Sequence, residues 1–555
     1  MKTGPIEGSG RSLTAERTHS RHFPDTLAAR SWRRSTPRVV RNWIAPMVLV
    51  AAIAFFFSTA FYVLDMLFLG GSLANPADVV DHYLAFRPEL LTDALPALGT
   101  TIVAALGIVL TVIAIIVQLS AERYTGVAMM FLRDPVHVAV LSFYIVASLC
   151  AVWLSVTLQA EFVPRSLLLL VMVLTSLGLA TMLPYFAYTF WFLEPNNIID
   201  RLRVSATRTG QRGVASTSAL EVERLHNRLL STLEEIADIA NNSIEGRDRI
   251  IASDAVDALR DFLLDYLQAK PHDARPWYRI SRALGGNPDF IGMDDELIRE
   301  LESRGLWVEW KALHEYSSVY DEALASMQEI NSLIAIDTRY IGEVAAAGGQ
   351  VDLVRMVLRF MNAYLRAAID QERTRTANNV LQQYRALLEE MLRLGQDDIA
   401  CEGVAFLSYY GHYAFEEDLP EVTVTVAYDV ALLCQCAHRN GRAGEECILR
   451  KLLNLDKEQP PQGYRQQRSL RGVRRAQTRL AVYYLSVGEE ASARMIAEDM
   501  YDMPASVRRA VREALAEAAP PHFWEVVDRG RNLHYLTDSE RVYLDEFLGW
   551  LSDHP

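Results

Sequence analysis

Lysine is nearly absent from this chain. Only Lys2, Lys270, Lys311, Lys451 and Lys457 stand among its 55 basic residues; the others are arginine, a bias that follows coding composition and carries no chemistry. Cysteine is equally sparse. Cys150, Cys401, Cys434, Cys436 and Cys447 are an odd, scattered set, and Cys150 lies within an apolar run. That excludes a disulfide framework and fits a reducing compartment for the larger part of the chain. The common catalytic signatures are missing too: no GxxxxGK[ST], no GxGxxG after a strand, no HExxH and no GxSxG. Cys434, Cys436, His438 and Cys447 do not have zinc-site spacing, because on a helix Cys434 and His438 share a face while Cys436 points away. His314-Glu315 lacks a second histidine, and His412 among Tyr409, Tyr410 and Tyr413 reads as a packed aromatic cluster. The chain is therefore expected to be no enzyme and to hold no cofactor and no metal.

What is present is unevenly distributed. Mean hydropathy is near zero, yet residues 44–193 hold long uncharged runs while 194–555 carry 42 basic and 58 acidic side chains. A membrane block and a water-soluble block are averaged together, which excludes both a simple soluble enzyme and a wholly embedded transporter. Four spans are predicted, at about 44–64, 97–120, 136–158 and 166–192, each long enough to cross roughly 30 Å of hydrocarbon. A secretory signal or a transit peptide competes for the first, but 43 polar residues precede it and its apolar run is long for a signal.

Orientation follows from basic residues in the short loops. Arg30, Arg33, Arg34, Arg38 and Arg41 end the leader, Arg123 and Arg133 lie in the second connection, and Arg201, Arg203, Arg208 and Arg212 follow the last span. The first connection, 65–96, has five acids against Arg87 alone. Both termini are expected in the cytoplasm. The anticipated organisation is a basic leader (1–43), a four-span block (44–193), an α-helical cytoplasmic domain (194–455), a linker (456–475) and a C-terminal helical hairpin subdomain (476–555).

The second span carries a pattern beyond hydrophobic length. Thr100, Ala104, Gly107, Thr111 and Gln118 fall on one helix face, and Glu122 continues it. Such a small and polar stripe suits close helix packing, with Thr and Gln bonding across helices. It also suits the lining of a water-filled path or the seam of an oligomer around one.

The run from Arg87 to Asp134, RPELLTDALPALGTTIVAALGIVLTVIAIIVQLSAERYTGVAMMFLRD, resembles the bacterial family of predicted integral membrane proteins called domain of unknown function 2254. The matching positions are Gln118, Leu119, Ser120, Arg133 and Asp134; Thr125, Gly126 and Val127 stand where that family has Ser-Pro-Arg. Glu235–Leu263 looks like the family's helical segment after the spans. The resemblance implies membrane location and several N-terminal spans, and no established activity.

Beyond Glu194 the spacing predicts amphipathic helices, at about 220–240, 252–268, 293–304, 318–336, 351–370, 376–395, 425–438 and 474–487. Glu421–Val430 (EVTVTVAYDV) alternates like a strand but enters the helix ending near Cys436, and helix is favoured. Arginine- and glycine-containing stretches at 203–217, 270–292 and 455–475 are candidate linkers. Leu480, Ala481, Tyr484, Gly488, Ala493 and Ala497, followed by Pro504, are spaced like one tetratricopeptide-type hairpin, though no 34-residue recurrence runs along the chain. Two ordinary antiparallel helices are the favoured explanation.

The reading is all-α: a four-helix transmembrane block followed by a large α-helical cytoplasmic region, in a bacterial inner-membrane protein. The expected role is a membrane-anchored interaction or sensory scaffold; the alternative is a channel-like oligomer with Thr100, Thr111 and Gln118 lining a pore. Expected partners are the lipid bilayer, a second copy and a cytoplasmic protein. The acidic soluble block argues against nucleic acid.

Overall fold

A computed structural model of the chain describes residues 88–121, 131, 134–157, 164–271, 276–457, 463–518 and 532–551. It also describes eight positions between Ala52 and Leu64, all helical. The rest of the first expected span lies outside the described residues, as do the basic leader and Glu122. Among the described residues there is no strand. The chain divides into two units, one of Met1–Val117 with Met130–Leu193 and one of Gln118–Met129 with Glu194–Pro555.

The first unit contains α1 (Pro88–Ala121) as far as Val117, together with α2 (Pro135–Thr157) and α3 (Arg165–Leu193). Within them Pro96–Gln118, Pro135–Val156 and Ser166–Leu193 are long and apolar enough to cross a membrane. Their inward faces are apolar and pack together. Ile102, Ala105, Val109 and Ile113 of α1 are buried, and Gly178 of α3 leaves room that a Cβ would take from Ile102 and Tyr144. Tyr144 donates to the Gly178 carbonyl at 2.7 Å. The outward faces of α2 and α3 are apolar, with Trp153, Val156, Val173 and Phe190 more than half exposed. Such helices suit hydrocarbon surroundings, not water.

The second unit opens with a three-helix group: α4 (Pro195–Ala215), α5 (Ala219–Glu245) and α6 (Arg249–Ala269), each packed on the other two. Asp248 caps α6 by accepting from the Ile251 amide. Short turns lead to α7 (Asp295–Arg304). Antiparallel hairpins follow: α8 (Trp307–Ser326) with α9 (Gln328–Ala347), α10 (Val351–Asp370) with α11 (Thr374–Leu394), and α12 (Asp397–Glu416) with α13 (Pro420–Arg439). Next come α14 (Glu445–Asn454), α15 (Tyr464–Ser486), α16 (Glu490–Asp499), α17 (Ala505–Ala516) and α18 (Asp538–Trp550).

These hairpins form a repeat stack. First helices begin at Trp307, Val351, Asp397 and Glu445, at intervals of 44, 46 and 48 residues; second helices begin at Gln328, Thr374, Pro420 and Tyr464, at 46, 46 and 44. Successive second helices pack in the order α6, α9, α11, α13, α15, and first helices in the order α5, α8, α10, α12, α14. Each second helix from α9 onward runs into a glycine with left-handed backbone: Gly349, Gly395, Gly441 and Gly488. Glycine enters that conformation without the Cβ clash other residues meet, so the turn recurs at the same register. Bonds between neighbouring hairpins keep the interval, as in Arg355–Glu402 and Asn379–Ser332, each 47 residues apart. Four hairpins exceed the roughly three that a continuous repeat core requires.

Several sequence expectations change. The linker expected at 203–217 is helical to Ala215, and Tyr464–Arg475 of the one at 456–475 begins α15. In both cases glycine marks close packing, not a break. A Cβ on Gly213 would stand 2.3 Å from Trp277, and one on Gly472 would stand 2.2 Å from Val424 of α13. The helix expected at 318–336 is two helices meeting at Met327. Glu421–Val430 is helical. Pro420 pre-sets the first turn, the Thr425 hydroxyl donates to the Glu421 carbonyl, and α13 is buried between α11 and α15, which outweighs its β-branched content.

Candidate functional site

Thr100, Ala104, Gly107, Thr111 and Gln118 all lie on the exposed face of α1, opposite Ile102, Ala105, Val109 and Ile113. The stripe therefore does not pack against α2 or α3, and a Cβ on Gly107 would meet nothing within 4 Å. The Thr100 hydroxyl donates to the Pro96 carbonyl and that of Thr111 to the Gly107 carbonyl, each within its own helix. Both are satisfied without a bound ion or water.

Of the family-like positions, Ser120 is helical and Arg133 lies outside the described residues. Asp134 is placed. It accepts the Val136 amide at 2.9 Å at the start of α2 and the Tyr188 hydroxyl at 3.2 Å from α3. One turn on, buried His137 stacks on Phe131 with ring centres 3.6 Å apart, and its Nδ1 meets the Tyr185 hydroxyl at 2.9 Å. Tyr185 and Tyr188 thus tie α3 to the start of α2.

In the second unit a buried charge cluster surrounds Lys311. Its fully buried ammonium donates to Glu234 at 2.9 Å and to Asp289, and pairs with Glu315 at 2.5 Å. Glu234, Asp289 and Glu315 are also the one acidic trio, among the described residues, whose oxygens lie close enough to share a metal ion. Lys311 already supplies the counter-charge there, so the donor set is a structural ion network. Burial pushes the Glu315 carboxyl upward while Lys311 draws it back down. Arg260 plays the corresponding role between α6 and α9, pairing with Asp257 and with buried Asp337 at 2.9 Å. Burial raises Asp337 to about 7 despite that guanidinium. Sequence signals for these clusters are weak; only the same-helix pairs, Lys311–Glu315 at a spacing of four and Asp257–Arg260 at three, are visible.

Cys434 and Cys436 are buried in α13, burial raises the Cys434 thiol, and His438 pairs with Glu445 at 3.2 Å.

One aromatic surface stands out on the stack. Arg366 of α10 projects over Tyr409, Tyr410 and Tyr413 of α12, 4.7 Å from the Tyr413 ring centre, and donates to the Tyr409 hydroxyl at 3.0 Å. Tyr413 donates to Asp370 at 2.6 Å. Tyr409 remains half exposed. The patch joins two successive hairpins, so the repeat builds it. The sequence shows the tyrosine cluster and not its cation, which lies 43 residues away.

Fold and surface together define a class: a protein with apolar helices able to span a membrane, joined to a helical-hairpin repeat stack. No family model matches the chain, and no curated protein and no solved structure does so either.

Proposed function

We propose that this chain is a membrane-anchored, non-enzymatic scaffold of the bacterial inner membrane, with both termini cytoplasmic and the hairpin stack binding a cytoplasmic protein. The observation that carries the reading is the stack itself. Repeated hairpins place side chains from successive units on one continuous surface, which is how such architectures bind extended partners. The Arg366–Tyr409–Tyr413 patch supports it, because tyrosine and arginine are the residues most enriched where binding energy concentrates. Three helices long and apolar enough to cross a membrane support the membrane assignment. The test is recovery of a stoichiometric partner with tagged full-length protein. Arg366→Ala with Tyr409→Ala should reduce that recovery at least tenfold while helix content stays unchanged; undiminished recovery contradicts the reading.

A second reading, a homo-oligomer with α1 at its seam and a pore along the seam, draws on the outward stripe from Thr100 to Gln118. Gel filtration with light scattering in mild detergent tests the seam, and ion flux in liposomes tests the pore. A monomer without flux removes both.

A further inference from the structure

Arginine on α15 is used in two different ways. Arg474 pairs with Asp456 at 2.5 Å, Asp499 at 3.3 Å and Asp502 at 3.6 Å, and Arg465 pairs with Asp418. Arg468, Arg471 and Arg475, spaced three and four apart on one face, form no ion pair with any described carboxylate. They line one wall of a cavity of about 250 Å³, with Tyr464 at one end and Ala510, Val511 and Ala514 of α17 opposite. Among the described residues no acidic side chain lines it. This is a local reversal in a unit whose overall charge is negative.

Three further observations mark the positive charge as uncompensated. Arg475 bonds only the neutral Tyr428 hydroxyl, and its Nε is buried with no acceptor among the described residues. Arg471 finds only the Tyr464 ring, 5.8 Å from its centre. His534, which meets the Tyr428 hydroxyl at 2.6 Å, is pushed down to about 4, by burial first and then by Arg475 and Arg479. The small side chains of α17 leave open the space that a bulkier wall would fill.

We propose that the groove between α15 and α17 binds a phosphoryl group through Arg468, Arg471 and Arg475. Guanidinium forks match the oxygens of a phosphate two at a time, and an unpaired cluster of three is what such a dianion requires. The cavity is smaller than the roughly 300–1,000 Å³ that holds a drug-sized molecule, so it takes the anionic group and leaves any attached organic part outside. Inorganic phosphates and the headgroup of an anionic lipid share this chemistry.

The test is calorimetric titration of the full chain in nonionic detergent with inorganic pyrophosphate and, separately, with a short-chain phosphatidate. Binding of both identifies a free-anion site, and binding of phosphatidate alone identifies a lipid headgroup site. Either affinity should fall as sodium chloride rises. Arg468→Gln and Arg471→Gln should each weaken binding about tenfold or more, while Arg465→Gln leaves it unchanged. Ala514→Glu, which places a carboxylate on the opposite wall, should abolish binding without touching an arginine and serves if the arginine variants lose their fold. The His534 ring should titrate at higher pH with the anion bound. Absence of binding by both probes overturns the proposal, as does wild-type affinity in folded Arg471→Gln or Ala514→Glu.

Discussion

Replacing Lys311 with methionine keeps the apolar stem and removes one charge, and its consequence can be worked from the geometry. Lys311 is fully buried, whereas the side chains of its partners Glu315, Asp289 and Glu234 are 10%, 25% and 40% exposed. Glu234 and Asp289 can turn part of their charge to water, so their loss of a partner adds little. Glu315 cannot. Breaking a buried ion pair by removing one member costs about 3–5 kcal/mol, and the mixed exposure of this network places Lys311→Met near the lower end, at about 3 kcal/mol. Thermal unfolding of the full chain in detergent should then show a melting point lower by about 5 °C or more. Hydrogen exchange should accelerate first in Trp307–Ser326.

The pH dependence fixes the cause. Burial already raises the Glu315 pKa, and Lys311 opposes it. Without the lysine that pKa climbs further. A carboxyl whose folded pKa exceeds its unfolded value of about 4.3 stabilises the fold at low pH and loses that contribution as pH rises. The variant's deficit should therefore shrink between pH 7 and pH 5, and Lys311→Met with Glu315→Gln should recover much of it. A deficit that is constant across this range, or a double variant no better than the single one, refutes the reasoning.

Three other outcomes follow from the packing. His226 is fully buried, bonded to the Trp277 carbonyl at 3.0 Å, and lowered to about 4 chiefly by that burial. A depressed histidine pKa contributes stability above about pH 6.5 that is lost as pH falls toward 4. Acidifying from pH 7 to 5 should cost about 2 kcal/mol through this residue, and an NMR titration of its ring with a midpoint near 6.5 would contradict the assignment. Gly472→Ala forces a Cβ against Val424 and should destabilise by about 1–3 kcal/mol; Val424→Ala in the same chain should restore most of the loss, measured by thermal melting. Gly107→Leu faces open space, so it should leave the melting point within about 1 °C, the range of a surface substitution, and a larger drop would place a partner helix at the stripe.

How much of this was legible in the sequence differs between elements. The three described spans were visible because uninterrupted apolar length has few other uses, and α10 and α11 because their apolar spacing is regular. The break between α8 and α9 was not, since the turn at Met327 has neither glycine nor proline. Gly210, Gly213 and Gly472 misled in the opposite direction, because a glycine that ends a helix and one that admits a neighbouring side chain look identical in sequence. The repeat escaped a search at 34 residues because its interval is 44–48 and is carried by turn register more than by residue identity. Of the candidate residues, the stripe on α1 was found by helical spacing alone, although not which way it faced. The Lys311 network and the Arg366 patch were hidden, since their members meet only once the hairpins stack.

The central claim is that the stack is a docking surface, and site-specific photo-crosslinking in intact cells tests it most directly. A photoreactive residue at Tyr409 should give one discrete adduct to a cytoplasmic protein, weakened by Arg366→Ala, while the same residue at exposed Leu220 of α5 gives none. Adducts absent at Tyr409, or equal in pattern at Tyr409 and Leu220, would contradict the account.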